Sequence, residues 1–249
     1  MSDDITSLLN EWEYDPFSHV RKIIGDDGRE KIQVRVELGL LQMEVDGRPD
    51  GKRPYGMASL LDYYESQLQE HISQSGAEEG FVLDTEACEE LRQEALLYYH
   101  RYVLFFELED YDRTVRDTER NTRLFDFVWK YARDKKDAVE LEQYRPYIIR
   151  MNASARALRD AQHRDYDSAV KHVKSAVEKI ESLPPMDNPT FLFEKNRSLS
   201  VLKGMIKELE ARQPPTKLDA LRKALSRAVN EERFEDAAGL RDEIRKLGG

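Results

Sequence analysis

From about residue 56 to its end, the chain repeats apolar side chains every three or four residues. The first such stripe consists of Leu60, Leu61, Tyr64 and Leu68. This spacing places apolar residues on one face of an α-helix and leaves the opposite face to water. The sequence therefore predicts a mainly α-helical protein, in which successive amphipathic helices bury their apolar faces against one another.

A β region precedes the helices, in residues 17–47. Val20–Ile24 leads into the turn sequence Gly25–Gly28, after which apolar and polar side chains alternate. The alternation places Ile32, Val34, Val36 and Leu38 on one face and Gln33, Arg35 and Glu37 on the other. At Gly39 the alternation changes phase, which indicates a bulge or a tight turn. We expect an antiparallel hairpin or three-stranded meander that packs on the helices, because so small a sheet is marginal alone.

Three turns in the helical region share one pattern, in which an aromatic residue flanked by acidic residues opens the second helix of a pair. Their aromatic residues are Tyr111, Tyr166 and Phe234. Around the second turn, small and aromatic residues stand near the positions typical of a tetratricopeptide (TPR) unit: Ala153, Ala157, Tyr166, Ala169, Val173 and Ala176, followed by Pro184. The segment resembles one TPR unit, although the three aromatics do not follow the regular repeat of about 34 residues.

These patterns predict TPR-like stacked helical hairpins with a small N-terminal antiparallel sheet and a C-terminal helical hairpin. We divide the chain into a β-containing region at 1–55, a helical body at 56–212 and a terminal hairpin at 216–249. The linker between the last two is Gln213-Pro214-Pro215.

The charge balance of the chain is acidic, with a formal net charge of −10. General binding to nucleic acid is therefore not expected, because it needs Lys and Arg to neutralise phosphates. The single cysteine, Cys88, rules out an intramolecular disulfide and suits a reducing cytoplasm. The N-terminus lacks the apolar stretch of a secretory signal, and no apolar run approaches the roughly 20 residues that span a bilayer. We expect a cytoplasmic protein without a membrane partner.

The most informative segment is the C-terminal one, Phe234-Glu235-x-Ala237-Ala238-x-Leu240-Arg241-Asp242-x-Ile244, preceded by Leu221, Leu225 and Ala228. It resembles the UVR motif, which ends the excision-repair proteins UvrB and UvrC and also occurs in Clp-type ATPases. In these families the motif is a docking hairpin that pairs with another UVR hairpin or with a partner enzyme. The rest of the chain carries no helicase motif, nuclease domain, Walker A loop or Cys-x-x-Cys zinc site.

The resemblance implies a non-enzymatic adaptor that binds a protein, either another UVR protein, a Clp-type ATPase or a repair factor. The residues assigned to partner binding are Leu221, Leu225, Phe234, Glu235, Leu240, Arg241, Asp242 and Ile244. Phe234 and Leu240 are the expected anchors, since large apolar residues dominate interface energies. The resemblance also allows two copies of the hairpin to pair, which would make a homo-oligomer. The alternative interpretation is that the hairpin packs against its own chain.

Other features of the sequence have both a functional and a plainer interpretation. An arginine stripe, formed by Arg113, Arg116, Arg120 and Arg123, is a candidate anion-binding surface and the basis of a second hypothesis, a DNA-repair accessory factor. Its plainer interpretation is a solvated helix face with Arg113 paired to Asp117. The aromatic cluster from Tyr98 to Phe106 is interpreted as core. No histidine pair has metal-ligand spacing, so neither metal nor cofactor is expected, and a third hypothesis, an enzyme with an unrecognised site, has no nucleophile–base pair to support it.

Overall fold

A computed structural model describes residues 4–213 and 217–247 as a short helix, a three-stranded sheet and a long series of helices. The strands are β1 (Val20–Ile24), β2 (Glu30–Val36) and β3 (Gly39–Glu44). The helices are α1 (Thr6–Glu11), α2 (Leu60–Ser75), α3 (Thr85–Glu107), α4 (Tyr111–Tyr131), α5 (Lys135–Glu142), α6 (Arg145–Gln162), α7 (Tyr166–Glu181), α8 (Pro189–Arg212), α9 (Lys217–Asn230) and α10 (Phe234–Leu247). The predicted class, mainly α with a small N-terminal sheet, is confirmed.

The chain forms two compact units, of which the first ends at Lys207 and the second begins at Glu208. The first unit contains the sheet together with helices α1 to α7 and most of α8. Sheet and helices share a hydrophobic cluster, in which Ile32 and Val45 pack with Leu104 and Phe105 of α3. The β region is therefore part of the same unit as the helical body, and the second unit holds the end of α8 with α9 and α10.

The sheet is an antiparallel meander in the order β1-β2-β3, as the sequence predicted. Val34 at the centre of β2 pairs with Val20 of β1 and with Leu41 of β3. Val36 pairs with Gly39, so a two-residue turn joins β2 to β3 and accounts for the change of phase at the glycine. Of the two alternatives at this position, the structure has the tight turn.

Burial in and after β2 does not follow the alternation of apolar and polar side chains. Gln33 and Arg35, assigned to the polar face, are each only 6% exposed, whereas Leu38, assigned to the apolar face, is 93% exposed in the turn. The chain preceding β1 accounts for this burial, because Arg35 donates to the carbonyl of Trp12 at 2.8 Å. The guanidinium of Arg21 lies 4.0 Å from the ring centroid of Trp12. Both faces of β2 are consequently covered, one of them by polar contacts that alternation cannot predict.

The main helical core lies among α2, α3, α4, α5 and α6. Its fully buried centre includes Leu61, Leu91, Leu124 and Ile148. Helices α3, α4, α6 and α7 pack consecutively, α3 on α4, α4 on α6 and α6 on α7. The short turns between α3 and α4 and between α6 and α7 make these pairs antiparallel.

The three turns singled out by their aromatic residues share one backbone conformation. In each turn, the preceding helix ends in a non-glycine residue with positive φ: Glu109 at 55°, Arg164 at 62° and Glu232 at 55°. The next amide donates to the carbonyl five residues earlier, as Asp165 does to Asp160 at 3.0 Å. This is the Schellman arrangement, which satisfies carbonyls that the helix end leaves without partners. Asp110 and Asp165 then cap the helices that follow.

Left-handed backbone at a residue with a side chain carries strain that glycine avoids. Arg164 is exposed, so Arg164→Gly is expected to raise the free energy of unfolding by about 0.5–1 kcal/mol. Urea denaturation monitored by circular dichroism measures this change, with Arg164→Ala as the matched control because alanine keeps the Cβ atom. Equal stabilisation by both substitutions would show that the strain does not lie in the backbone.

A buried ion pair joins α3, α4 and the loop that follows β3. Arg101 and Asp117 are each 1% exposed and form two hydrogen bonds of 2.7 and 3.0 Å. The second terminal nitrogen of Arg101 donates to the carbonyl of Glu44 at 2.9 Å and to that of Gly47 at 2.7 Å. All three nitrogens of this guanidinium thus donate hydrogen bonds, four in number, which offset the cost of burying the charge.

Removing one partner of such a pair leaves the other charged and buried. We expect Asp117→Ala to lower the free energy of unfolding by about 3–5 kcal/mol. The control is Asp112→Ala, because Asp112 lies in the same helix but is 80% exposed in its pair with Arg159; its loss should cost less than about 1 kcal/mol. Chemical denaturation of both variants tests the contrast, and similar losses would contradict it.

Candidate functional site

The C-terminal unit contains an antiparallel helical hairpin, made by α9 and α10 packed on each other. Two alanines, Ala228 of α9 and Ala237 of α10, are almost fully buried. Small side chains at these points let the helix backbones approach closely near the turn. The neighbouring Ala238 is exposed.

The large apolar residues of the hairpin are incompletely covered. Leu221, Leu225, Leu240 and Ile244 are all half-buried. Near the turn, Phe234 is 69% exposed and Val229 is also exposed. We call this set of six the hairpin seam. Exposed apolar area of this kind is costly in water and is removed when another surface covers it.

The turn between the two helices is held by backbone and charge contacts together. The amide of Arg233 donates to the carbonyl of Ala228 at 2.8 Å, which closes the turn around Glu232. The Arg233 guanidinium bonds Glu231 at 2.7 and 3.0 Å and Asp236 at 2.8 Å. These bonds raise the pKa of Arg233. Phe234 follows directly, so the turn fixes the place where its ring leaves the hairpin.

Residues 216–249 match the family model described as the UvrB/uvrC motif. This part of the chain is a UVR motif. UVR motifs are known for associations between proteins, including those of DNA repair. Comparison of the chain with curated proteins and with solved structures finds no match. The identification therefore rests on the UVR hairpin and extends to no other part of the molecule.

The structure brings the eight residues assigned to partner binding together on this hairpin. Four apolar ones belong to the half-buried part of the seam, and Phe234 is its most exposed member. Glu235, Arg241 and Asp242 are exposed on α10. Asp242 lies 3.8 Å from Arg245, and Arg241 makes no ion pair with another described residue. The sequence analysis missed Val229, because it lies beside the stripe of Leu221, Leu225 and Ala228.

The arginine stripe on α4 lies against carboxylates of other elements. Arg113 contacts Glu30 and Asp110, each at 2.9 Å. Arg116 contacts Asp46 at 2.7 Å and the carbonyl of Val45. The predicted pair between Arg113 and Asp117 does not form, because Asp117 is turned toward Arg101 and Arg116. The first half of the stripe thus connects α4 with the sheet and its loop.

The second half of the stripe connects α4 with α2 and α3. Arg120 forms an ion pair with Glu94, and its guanidinium lies 3.9 Å from the centroid of the Tyr98 ring. Glu94 is completely buried and accepts the backbone amides of Leu60 and Leu61 at 2.7 and 3.1 Å. These amides open α2, where a negative charge is stabilised by the helix dipole.

Arg123 completes the stripe and is the most exposed of its members. It contacts Glu65 at 3.1 Å and Asp62 at 3.5 Å, both on α2. All four arginines therefore have carboxylate partners within the protein. The role of the stripe in binding an external anion remains a prediction, and such an anion would compete with these carboxylates.

Among the residues that the structure describes, two further features would indicate a function: a cluster of metal ligands and a helix that spans a membrane. No group of His, Cys, Asp or Glu side chains there is arranged to hold a metal ion. Among residues 4–213 and 217–247, no helix has the length and apolarity that crossing a bilayer would require. Cys88 is buried, and burial raises the pKa of its thiol to about 11.

The position of Arg120 predicts a structural effect that Arg123 should not share. Arg120→Gln removes one of the two arginine partners of the buried Glu94 carboxylate, the other being Arg48 at 3.5 Å. We expect the free energy of unfolding to fall by about 2–3 kcal/mol. Arg123→Gln removes an exposed pair and should cost less than about 1 kcal/mol. Urea titrations of both variants measure the difference. A larger loss at Arg123 than at Arg120 would contradict the assignment of Arg120 to the core.

Proposed function

We propose that this protein is a non-enzymatic adaptor that docks a protein partner through its UVR hairpin. The observation that supports the proposal is the seam, a row of large apolar residues left half-buried or exposed on a segment that matches a known interaction motif. Covering the seam would remove apolar area from water at roughly 25 cal/mol per Å². Phe234 is its most accessible anchor.

The chemistry of the seam favours a second helical hairpin as the partner surface. Its apolar row is flanked on α10 by Glu235, Arg241 and Asp242, so charges of both signs border it. A second helical hairpin with the same arrangement would match both the row and the charges. The match of residues 216–249 to the UVR motif supplies the candidate partners. We propose another UVR-bearing protein, a Clp-type ATPase or a repair factor, with self-pairing as the homo-oligomeric form, in a cytoplasmic setting.

The DNA-repair accessory hypothesis receives less support. It depends on the arginine stripe, whose four members are already paired with carboxylates of the protein. A nucleic acid strand would have to displace those pairs on a chain with a net charge of −10. For the hypothesis of an unrecognised enzyme, the sequence offers no nucleophile–base pair to name, and the non-enzymatic role remains part of the proposal.

Affinity purification from the native host, comparing the full-length protein with a chain ending at Gln213, is the first test. A partner that is lost with the hairpin is then purified and its affinity measured directly. Phe234→Ala should weaken that affinity by at least tenfold, since buried aromatic anchors contribute roughly 2 kcal/mol or more. The variant should still fold, because the ring is exposed.

The matched control is Phe17→Ala, since Phe17 is 95% exposed on the first unit and lies outside the hairpin. It should leave the affinity unchanged. If every partner survives truncation at Gln213, or if Phe17→Ala weakens binding as much as Phe234→Ala does, the hairpin is not the docking site. Analytical ultracentrifugation of the purified protein separates self-pairing from binding to another protein.

A further inference from the structure

A cavity of about 370 Å³ opens in the first unit among α3, α4, α5, α6 and α8. Its size falls within the range of small-molecule sites, roughly 300–1,000 Å³. Four tyrosines line it: Tyr99 and Tyr102 from α3, Tyr144 before α6, and Tyr147 from α6. The UVR hairpin contributes none of the lining residues, so this cavity is independent of the proposed docking site.

The tyrosine rings form a connected wall. The ring centroids of Tyr99 and Tyr102 are 5.6 Å apart with nearly perpendicular planes, and those of Tyr99 and Tyr147 are 5.8 Å apart. Tyr102 is buried, whereas Tyr99 and Tyr144 are partly exposed and mark the mouth. Burial raises the pKa of Tyr102 and Tyr147, so their hydroxyls stay neutral. Aromatic faces carry negative electrostatic potential and attract cations.

A carboxylate oxygen in the same cavity has no partner. Oε2 of Glu194, on α8, is buried and accepts no hydrogen bond in the structure. A buried carboxylate oxygen without a donor costs free energy, which a ligand with N–H groups would recover. The second acidic lining residue, Glu140, is exposed.

The cations near the cavity donate no hydrogen bond to Oε2 of Glu194, although Arg150 interacts with this carboxylate through its charge. Arg92 bonds Glu89 through two contacts of 2.7 Å. Arg197 lines the cavity as an exposed residue, and Oε2 of Glu194 accepts no bond from it. Arg150 is buried against Tyr147, with its guanidinium 4.8 Å from the ring centroid. A planar cation beside a tyrosine ring is therefore a contact that this region already contains.

We propose that the cavity binds an alkylguanidinium group, such as that of an arginine side chain. The guanidinium is planar and stacks on aromatic rings, and its N–H groups donate to carboxylates. The proposed group stacks on Tyr99 or Tyr144 at the mouth and donates a hydrogen bond to Oε2 of Glu194 inside the cavity. It thereby uses both the aromatic wall and the carboxylate oxygen that has no hydrogen-bond donor. The group belongs either to a free small molecule or to an arginine of a bound peptide.

The test is a titration of the full-length protein with each probe, monitored through the NMR signals of the tyrosine rings. The probes are agmatine, the blocked peptide Ala-Arg-Ala, and the same peptide with citrulline, which has the shape of arginine without its charge. We expect saturable shifts with agmatine or the arginine peptide at concentrations of about 1 mM and none with citrulline. Tighter binding of the peptide than of agmatine identifies a protein source, and the reverse identifies a small molecule.

Glu194→Gln should weaken binding of the guanidinium probe about tenfold or more, because a hydrogen bond to a charged group is lost. The variant should fold, since the substitution keeps the shape of a side chain that is only half-buried. Glu178→Gln, at an exposed carboxylate of α7, is the matched control and should bind like the wild type. The proposal is wrong if no probe gives saturable shifts, if citrulline binds as well as arginine, or if Glu194→Gln binds normally.

Discussion

The arrangement of the first unit depends on one buried ion pair, that of Arg101 with Asp117. Apolar packing would hold α3 against α4 without it, but hydrophobic contacts do not by themselves fix the loop after β3. The same guanidinium donates to the carbonyl of Glu44, at the end of β3, and to that of Gly47 in the loop, and so couples the sheet to the helices at a defined place. The polar contacts thus specify geometry, while the hydrophobic clusters supply most of the stabilisation.

The arginine stripe extends the same principle along α4. Its guanidinium groups point to carboxylates supplied by the sheet, by α2 and by α3, and Glu94 serves both Arg120 and the first amides of α2. An acidic protein with a row of arginines can therefore use that row internally. Whether a basic surface is available to an external anion depends on the partners that tertiary structure supplies, which a helical wheel does not show.

The sequence contained enough information for the helices, the meander and the UVR hairpin, because these depend on local periodicity and turn residues. It did not predict the burial of Gln33 and Arg35, whose covering contacts come from the chain around Trp12. Contacts between residues distant in sequence, such as Arg120 with Glu94, are equally inaccessible to pattern analysis. The aromatic cluster on α3 was interpreted as core, and for Tyr98, Tyr102 and Phe105 this is correct. Tyr99, its partly exposed neighbour, lines the cavity because α8 closes the far wall.

The half-buried seam of the hairpin has a consequence for how the protein behaves in solution. A surface that is completed by a second molecule obeys mass action, so the thermal stability of the C-terminal unit should rise with the concentration of whatever covers it. If identical and different hairpins compete for the same seam, their relative abundances decide which complex forms. The fraction of seam occupied by each partner would then depend on the ratio of their concentrations, which could not happen in a helical pair whose apolar residues are already fully covered.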